Sequence, residues 1–114
     1  MPHIVCHYSN SHNLPSIRDI LVALHHAAAS TGVVKAEDLK IRAQGFDDYL
    51  VAGEQRTFFH VTLYLLEGRT PEQKQTLSVE IRKTLSELLA ETYSLSVDIR
   101  DMDPVAYKKR LNEP

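Results

Sequence analysis

Residues 58–65, Phe-Phe-His-Val-Thr-Leu-Tyr-Leu, constrain the chain more than any other stretch. They put Phe59, Val61, Leu63 and Leu65 on one face and His60, Thr62 and Tyr64 on the other. That period of two, built from β-branched and aromatic residues, specifies a half-buried strand. Shortly afterwards Thr70, Pro71 and Gln73 spell a helix start: threonine as N-cap, proline at the first helical position, and glutamine three on to close a capping box. Leu77, Ile81, Leu85 and Leu88 carry an apolar stripe to about Ala90, and residues 94–100 alternate again with Leu95, Val97 and Ile99 inward. A strand, helix, strand unit of this kind crosses over right-handed and returns its second strand parallel to the first.

The first half of the chain repeats the order. Residues 3–8, His-Ile-Val-Cys-His-Tyr, predict a strand, and the breakers of 9–13 predict a loop. Leu14, Ile17, Leu21, Leu24 and Ala28 then recur at helical spacing, with Asn13 as N-cap, Pro15 in the first turn and Gly32 just past the end. Residues 39–44 alternate Leu39, Ile41 and Ala43 against Lys40, Arg42 and Gln44, while the tail 101–114 has no clear period. The expectation is an α+β fold, β-α-β-β-α-β in one domain spanning 1–114, with one sheet and both helices on one face. Two helices cover only one side of such a sheet. The other side carries Gln44, Thr62 and Tyr64, neither fully apolar nor highly charged, so a subunit partner is expected to cover it, with ligand sites where subunits meet.

Composition narrows the function. A chain of 114 residues, 43% hydrophobic and 25% charged, is a globular domain with a real core and little room for a deep private cleft. A net charge of −2 argues against sequence-independent binding to nucleic acid. No run approaches a membrane span or a signal peptide, so no membrane partner is expected. The one cysteine, Cys6, permits no internal disulfide, fits a reducing, cytoplasmic setting and reads as a buried thiol. Six histidines raise the question of a metal. On a strand, however, His3 and His7 stand about 13 Å apart, His25 and His26 diverge by about 100° on a helix, and His60 lies in a strand with no ligand motif nearby. No metal site is expected.

The chain opens Met1-Pro2 and runs straight into a strand. A small second residue permits removal of the initiator methionine, and removal exposes a prolyl secondary amine held at a defined point by the strand behind it. An α-amino group titrates near 7.7 to 8.0, and a prolyl amine is somewhat more basic; apolar burial and nearby cations disfavour the protonated form. An amine neutral near pH 7 is suited to take a proton and return it. Lys40 and Arg42, two apart on a strand, share a face about 7 Å apart. Arg69 follows Leu66-Glu67-Gly68 at the junction between the strongest strand and the second helix, where a loop aims a side chain. Arginines grip carboxylates bidentately, though each of these cations taken alone is an ordinary solvated charge.

Pro2-His3-Ile4-Val5, Leu14-Pro15, Thr31-Gly32, Phe59-His60-Val61-Thr62-Leu63, Gly68-Arg69-Thr70 and the closing Ser96-Val97-Asp98-Ile99-Arg100-Asp101-Met102-Asp103-Pro104 together resemble the 5-carboxymethyl-2-hydroxymuconate delta-isomerase family of the tautomerase superfamily. The resemblance covers nearly the whole chain. It implies a homotrimer and a cofactor-free 1,3-proton shift that converts a dienol diacid or triacid to its conjugated ketone, with Pro2 as the proton carrier and arginines on the carboxylates. Arg69 falls on the family's glycine-arginine position. Lys40-Ile41-Arg42 falls where the family shows two arginines separated by one residue, so Arg42 matches and Lys40 departs, keeping the charge but losing the fork. A non-catalytic trimeric domain of the same fold, binding a small carboxylate or a protein, is the alternative that Lys40 leaves open.

Overall fold

The computed structural model describes residues 2–10 and 13–113. Met1, whose removal the proline reading requires, lies outside the described residues, as do Ser11 and His12 of the expected loop and Pro114 at the end of the tail.

Among the described residues four strands and two helices follow one another as β1 (His3–Ser9), α1 (Ile17–Ser30), β2 (Lys40–Phe46), β3 (Phe58–Leu66), α2 (Pro71–Leu88) and β4 (Ser94–Met102), with one 3₁₀ turn, Ala36–Asp38, before β2. The sheet order is β2-β1-β3-β4. β1 pairs with β2 in parallel and β3 with β4 in parallel, while β1 and β3 run antiparallel down the middle. Each parallel pair is bridged by its own helix, so the sheet is two β-α-β halves joined through their first strands, as the sequence order requires.

Both helices lie on one face, packed against each other, with α1 over β2 and α2 over β4. Ile4 and Cys6 of β1 and Phe59, Val61, Leu63 and Leu65 of β3 are fully buried against Ile20 and Leu24 of α1 and Leu77, Ile81 and Leu85 of α2. The alternation of 58–65 is therefore the seam of the core. Tyr8 stacks on Phe59 with ring centroids 5.6 Å apart and planes 15° apart, closing one end of it.

The helix starts divide the two halves. At α2 the capping box forms as written: Gln73 N–H donates to the Thr70 hydroxyl at 3.2 Å and the Gln73 side chain accepts from Thr70 N–H at 2.9 Å, with Pro71 at the first turn. At α1 the expected Asn13 cap is replaced by Ser16, whose hydroxyl accepts from Asp19 N–H, and Pro15 stays outside the helix. Proline drives its predecessor Leu14 toward extended backbone, so the chain cannot turn helical until it has passed. α1 ends as expected, with Gly32 at φ +74° just beyond it. α2 stops at Leu88 with Leu89 as C-cap, short of Ala90. All four strands outrun the ends expected from the sequence because a neighbour continues the ladder: Ser9 pairs Phe46, and Leu66 pairs Met102.

Candidate active site

The strand registers sort the candidate side chains of β1, β2 and β3 onto the face away from the helices. His3 stands opposite Lys40 on one side and Tyr64 on the other, Val5 opposite Arg42 and Thr62, and His7 opposite Gln44 and His60. Lys40 and Arg42 thus share the open face, as their spacing predicts, with Lys40 half-buried and Arg42 exposed.

Pro2 is buried at the head of β1, and its carbonyl accepts a 3.0 Å hydrogen bond from Lys40 N–H. The backbone of Lys40 therefore fixes where the first strand begins. At the same end of the sheet β3 finishes at Leu66, and the loop turns through Gly68, whose φ of +115° is open to glycine and strained for other residues. That turn brings Arg69 back so that its Nη1 donates to the Leu66 carbonyl at 3.3 Å. Arg69 is half-buried and lies at the Pro2 end of the sheet, and its guanidinium bonds its own loop.

His3 is the organising side chain on the open face. Arg42 Nη1 lies 3.3 Å from its Nδ1, and the Tyr107 hydroxyl lies 3.0 Å from its Nε2. Burial first, then the charges of Arg42 and Lys40, hold its imidazole below the ordinary value of 6.5. On β4, Arg100 stands opposite Tyr64 and pairs with Asp98 at 2.6 Å, which keeps the Asp98 carboxyl below its usual range. Sequence reasoning missed Tyr107 because the tail shows no period. Its one signal was Asp103-Pro104, a pair that favours a turn.

The far end of the same face is chemically different. A cavity of about 510 Å³ lies there between His7, Phe46, Tyr49, Phe58, His60 and Ser96. His60 sits in a short relay, with Nδ1 2.6 Å from the Ser96 hydroxyl and Nε2 3.1 Å from the Thr62 hydroxyl. The cavity lining includes Asp48 and neither lysine nor arginine, so it offers a carboxylate no fork. A smaller space of about 370 Å³ opens beside Arg42, over Val5 and Gln44. Cys6 is buried and its thiol is pushed up to about 12 by that burial, which removes it as a nucleophile at neutral pH. Among the described residues no group of three His, Cys, Asp or Glu side chains is placed to hold a metal ion.

The family model described as 5-carboxymethyl-2-hydroxymuconate isomerase matches residues 2–112. No curated protein matches the chain by sequence. Among solved structures, a 5-carboxymethyl-2-hydroxymuconate delta-isomerase superposes with a TM-score of 0.84 at 19% identity, over 98% of this chain and 89% of that one. The 5-carboxymethyl-2-hydroxymuconate isomerase from Deinococcus radiodurans R1 gives 0.77 at 20% identity, over 97% and 90%. A fused wild-type 4-OT symmetric trimer gives 0.77 at 24% identity, over 88% and 85%. At these identities the superpositions establish a shared fold.

Proposed function

Because the chain belongs to the 5-carboxymethyl-2-hydroxymuconate isomerase family, we propose that it catalyses a cofactor-independent proton shift, dienol to conjugated ketone, on an unsaturated 2-hydroxy di- or tricarboxylate such as 5-carboxymethyl-2-hydroxymuconate. Pro2, freed by loss of Met1, is the general base and then the general acid. Its secondary amine takes the enol hydroxyl proton and returns one to a carbon farther along the conjugated chain, so substrate and product hold the same atoms and no electron enters or leaves. Arg42, Lys40 and Arg69 hold the carboxylates and favour the negative charge that develops on the dienolate.

The observation that carries this reading is the position of Pro2. It is buried at the head of a central strand, tied by its carbonyl to Lys40, at the sheet end to which β2 brings two cations and the loop after β3 a third. Burial and positive neighbours both favour the neutral amine that the reaction needs.

The working unit is a homotrimer in the cytoplasm. Supporting the trimer are a sheet face that neither helix covers and the likeness of the fold to a fused 4-OT symmetric trimer. A neighbouring copy laid on that face walls in a site that is open in one chain. The cytoplasmic setting is supported by a lone, buried, free cysteine.

The test is Pro2→Ala in protein whose intact mass shows loss of Met1, followed by the decay of the dienol's ultraviolet absorbance. The substitution lowers turnover by about 100- to 10,000-fold, the usual weight of a positioned acid–base group. Equal turnover in the variant removes Pro2 from the chemistry. Processed wild-type protein that leaves the dienol decay unchanged leaves only the carboxylate-binding alternative.

A further inference from the structure

The tail after β4 does not wander. The Asp103 carboxylate accepts from Val105 N–H at 2.9 Å and Ala106 N–H at 3.1 Å, and Tyr107 N–H donates to the Asp103 carbonyl at 3.0 Å. This compact turn sends the chain from the β4 edge back across β3, roughly 10 Å by strand spacing. It delivers the half-buried Tyr107 ring to His3 on β1, with centroids 5.9 Å apart and planes at 77°. A continuous contact chain then runs from tail to edge strand: Tyr107 hydroxyl, His3 imidazole, Arg42 guanidinium.

Hydrogen-bond accounting gives that chain one direction. A guanidinium only donates, so Arg42 Nη1 donates to His3 Nδ1, and Nδ1 carries no proton. The single proton of the neutral ring is on Nε2, and Nε2–H donates to the Tyr107 oxygen. Resting on the reading of Arg42 as a carboxylate contact, we propose that Tyr107 is a positioning residue, whose hydroxyl locks His3 in the Nε2–H tautomer so that the bare Nδ1 holds Arg42 in place for substrate.

The surroundings of His3 agree. Lys40 and Arg42 face it from β2, Tyr64 from β3 and Tyr107 from the tail. The side-chain charges that act on it, those of Arg42 and Lys40, are both positive, and with burial they keep the ring neutral. A protonated ring turns a second N–H toward the guanidinium and releases it, so the device loosens as pH falls through the lowered His3 pKa.

Tyr107→Phe is the decisive variant, because it keeps the ring and its edge contact and removes only the acceptor. With 5-carboxymethyl-2-hydroxymuconate as probe, KM rises about 3- to 10-fold, the weight of one partly buried hydrogen bond, and kcat stays within about twofold. His3→Leu raises KM by the same factor, and adding Tyr107→Phe to it changes nothing further. His3→Gln, whose amide both accepts from Arg42 and donates to Tyr107, keeps KM near the wild-type value and abolishes the rise of KM at acid pH. Wild-type KM in Tyr107→Phe, or a full Tyr107→Phe effect on top of His3→Leu, overturns the proposal. Arg42→Ala separates this from the reading beneath it. If Arg42→Ala raises KM and Tyr107→Phe does not, the positioning proposal alone fails; if Arg42→Ala leaves both KM and the affinity for adipate unchanged, the carboxylate reading fails.

Discussion

If Arg42 holds a substrate carboxylate and Pro2 carries the proton, as proposed, replacing Arg42 by alanine weakens substrate binding and leaves the proton transfer in place. Arg42 projects from the middle of β2 on the open face, two residues from Lys40, so its removal touches neither the core nor the backbone bond from Lys40 to Pro2. A hydrogen bond to a charged group contributes about 1.5–3 kcal/mol, equivalent to about 10- to 150-fold in affinity. Arg42 is exposed in the single chain, and screening reduces such contacts. The lower end therefore applies, about 10-fold in KM with kcat changed less than about threefold. Arg42→Lys keeps the charge and loses one arm of the fork, so its KM rises only about threefold. Lys40→Arg works in the opposite sense and lowers KM about two- to fivefold, because it supplies at position 40 the fork that lysine lacks. Steady-state dienol decay at low and moderate salt measures all three, and the Arg42→Ala penalty shrinks as ionic strength rises. An Arg42→Ala KM within twofold of wild type, or a Lys40→Arg variant that binds worse than wild type, refutes the reasoning.

Arg69→Ala removes the guanidinium that bonds the Leu66 carbonyl, while the Thr70–Gln73 capping box still starts α2. KM rises with little change in the far-ultraviolet circular dichroism melt, and an unchanged KM takes Arg69 out of the site. Cys6 resists a thiol-disulfide reagent at pH 8 in native protein and reacts at once in urea, since burial pushes its thiol from 9.0 to about 12. The folded pKa lies above the unfolded one, so the thiol's contribution to stability is intact below about pH 9 and is lost as pH climbs toward 12. The urea midpoint accordingly falls across that window; rapid labelling of the native protein at pH 8 contradicts the burial.

Much of this was legible because it is local. The alternation of 58–65 fixes which side chains of β3 are buried, and parity alone puts Lys40 and Arg42 on the face opposite Ile41 and Ala43. Thr70, Pro71 and Gln73 declare a helix start whose partners are all within four residues. The Ser16 cap was missed because Asn13, an equally good capping residue, precedes it in the same loop, and the choice depends on how Pro15 constrains Leu14. The role of His3 was not readable: its partners, Arg42 and Tyr107, are 39 and 104 residues away and meet it only through sheet register and the returning tail. Tyr107 sits in a segment without period because a strap held by one ring and one turn needs no repeating pattern. The far cavity was invisible for the same reason, since the sheet juxtaposes His60 and Ser96 while Phe46, at the end of β2, and Tyr49, just after it, are brought against them from across the sheet.

The central claim is that the nitrogen of Pro2 is a free amine, uncharged at neutral pH. A ¹⁵N nuclear magnetic resonance titration of protein labelled at proline, on material with Met1 removed, reads that atom directly. The account predicts a Pro2 resonance that titrates at or below about pH 7, lower than an ordinary α-amino group, and moves upward when Lys40 and Arg42 are both replaced by alanine. A Pro2 nitrogen that titrates at or above the ordinary amino-terminal range, indifferent to those two cations, contradicts it.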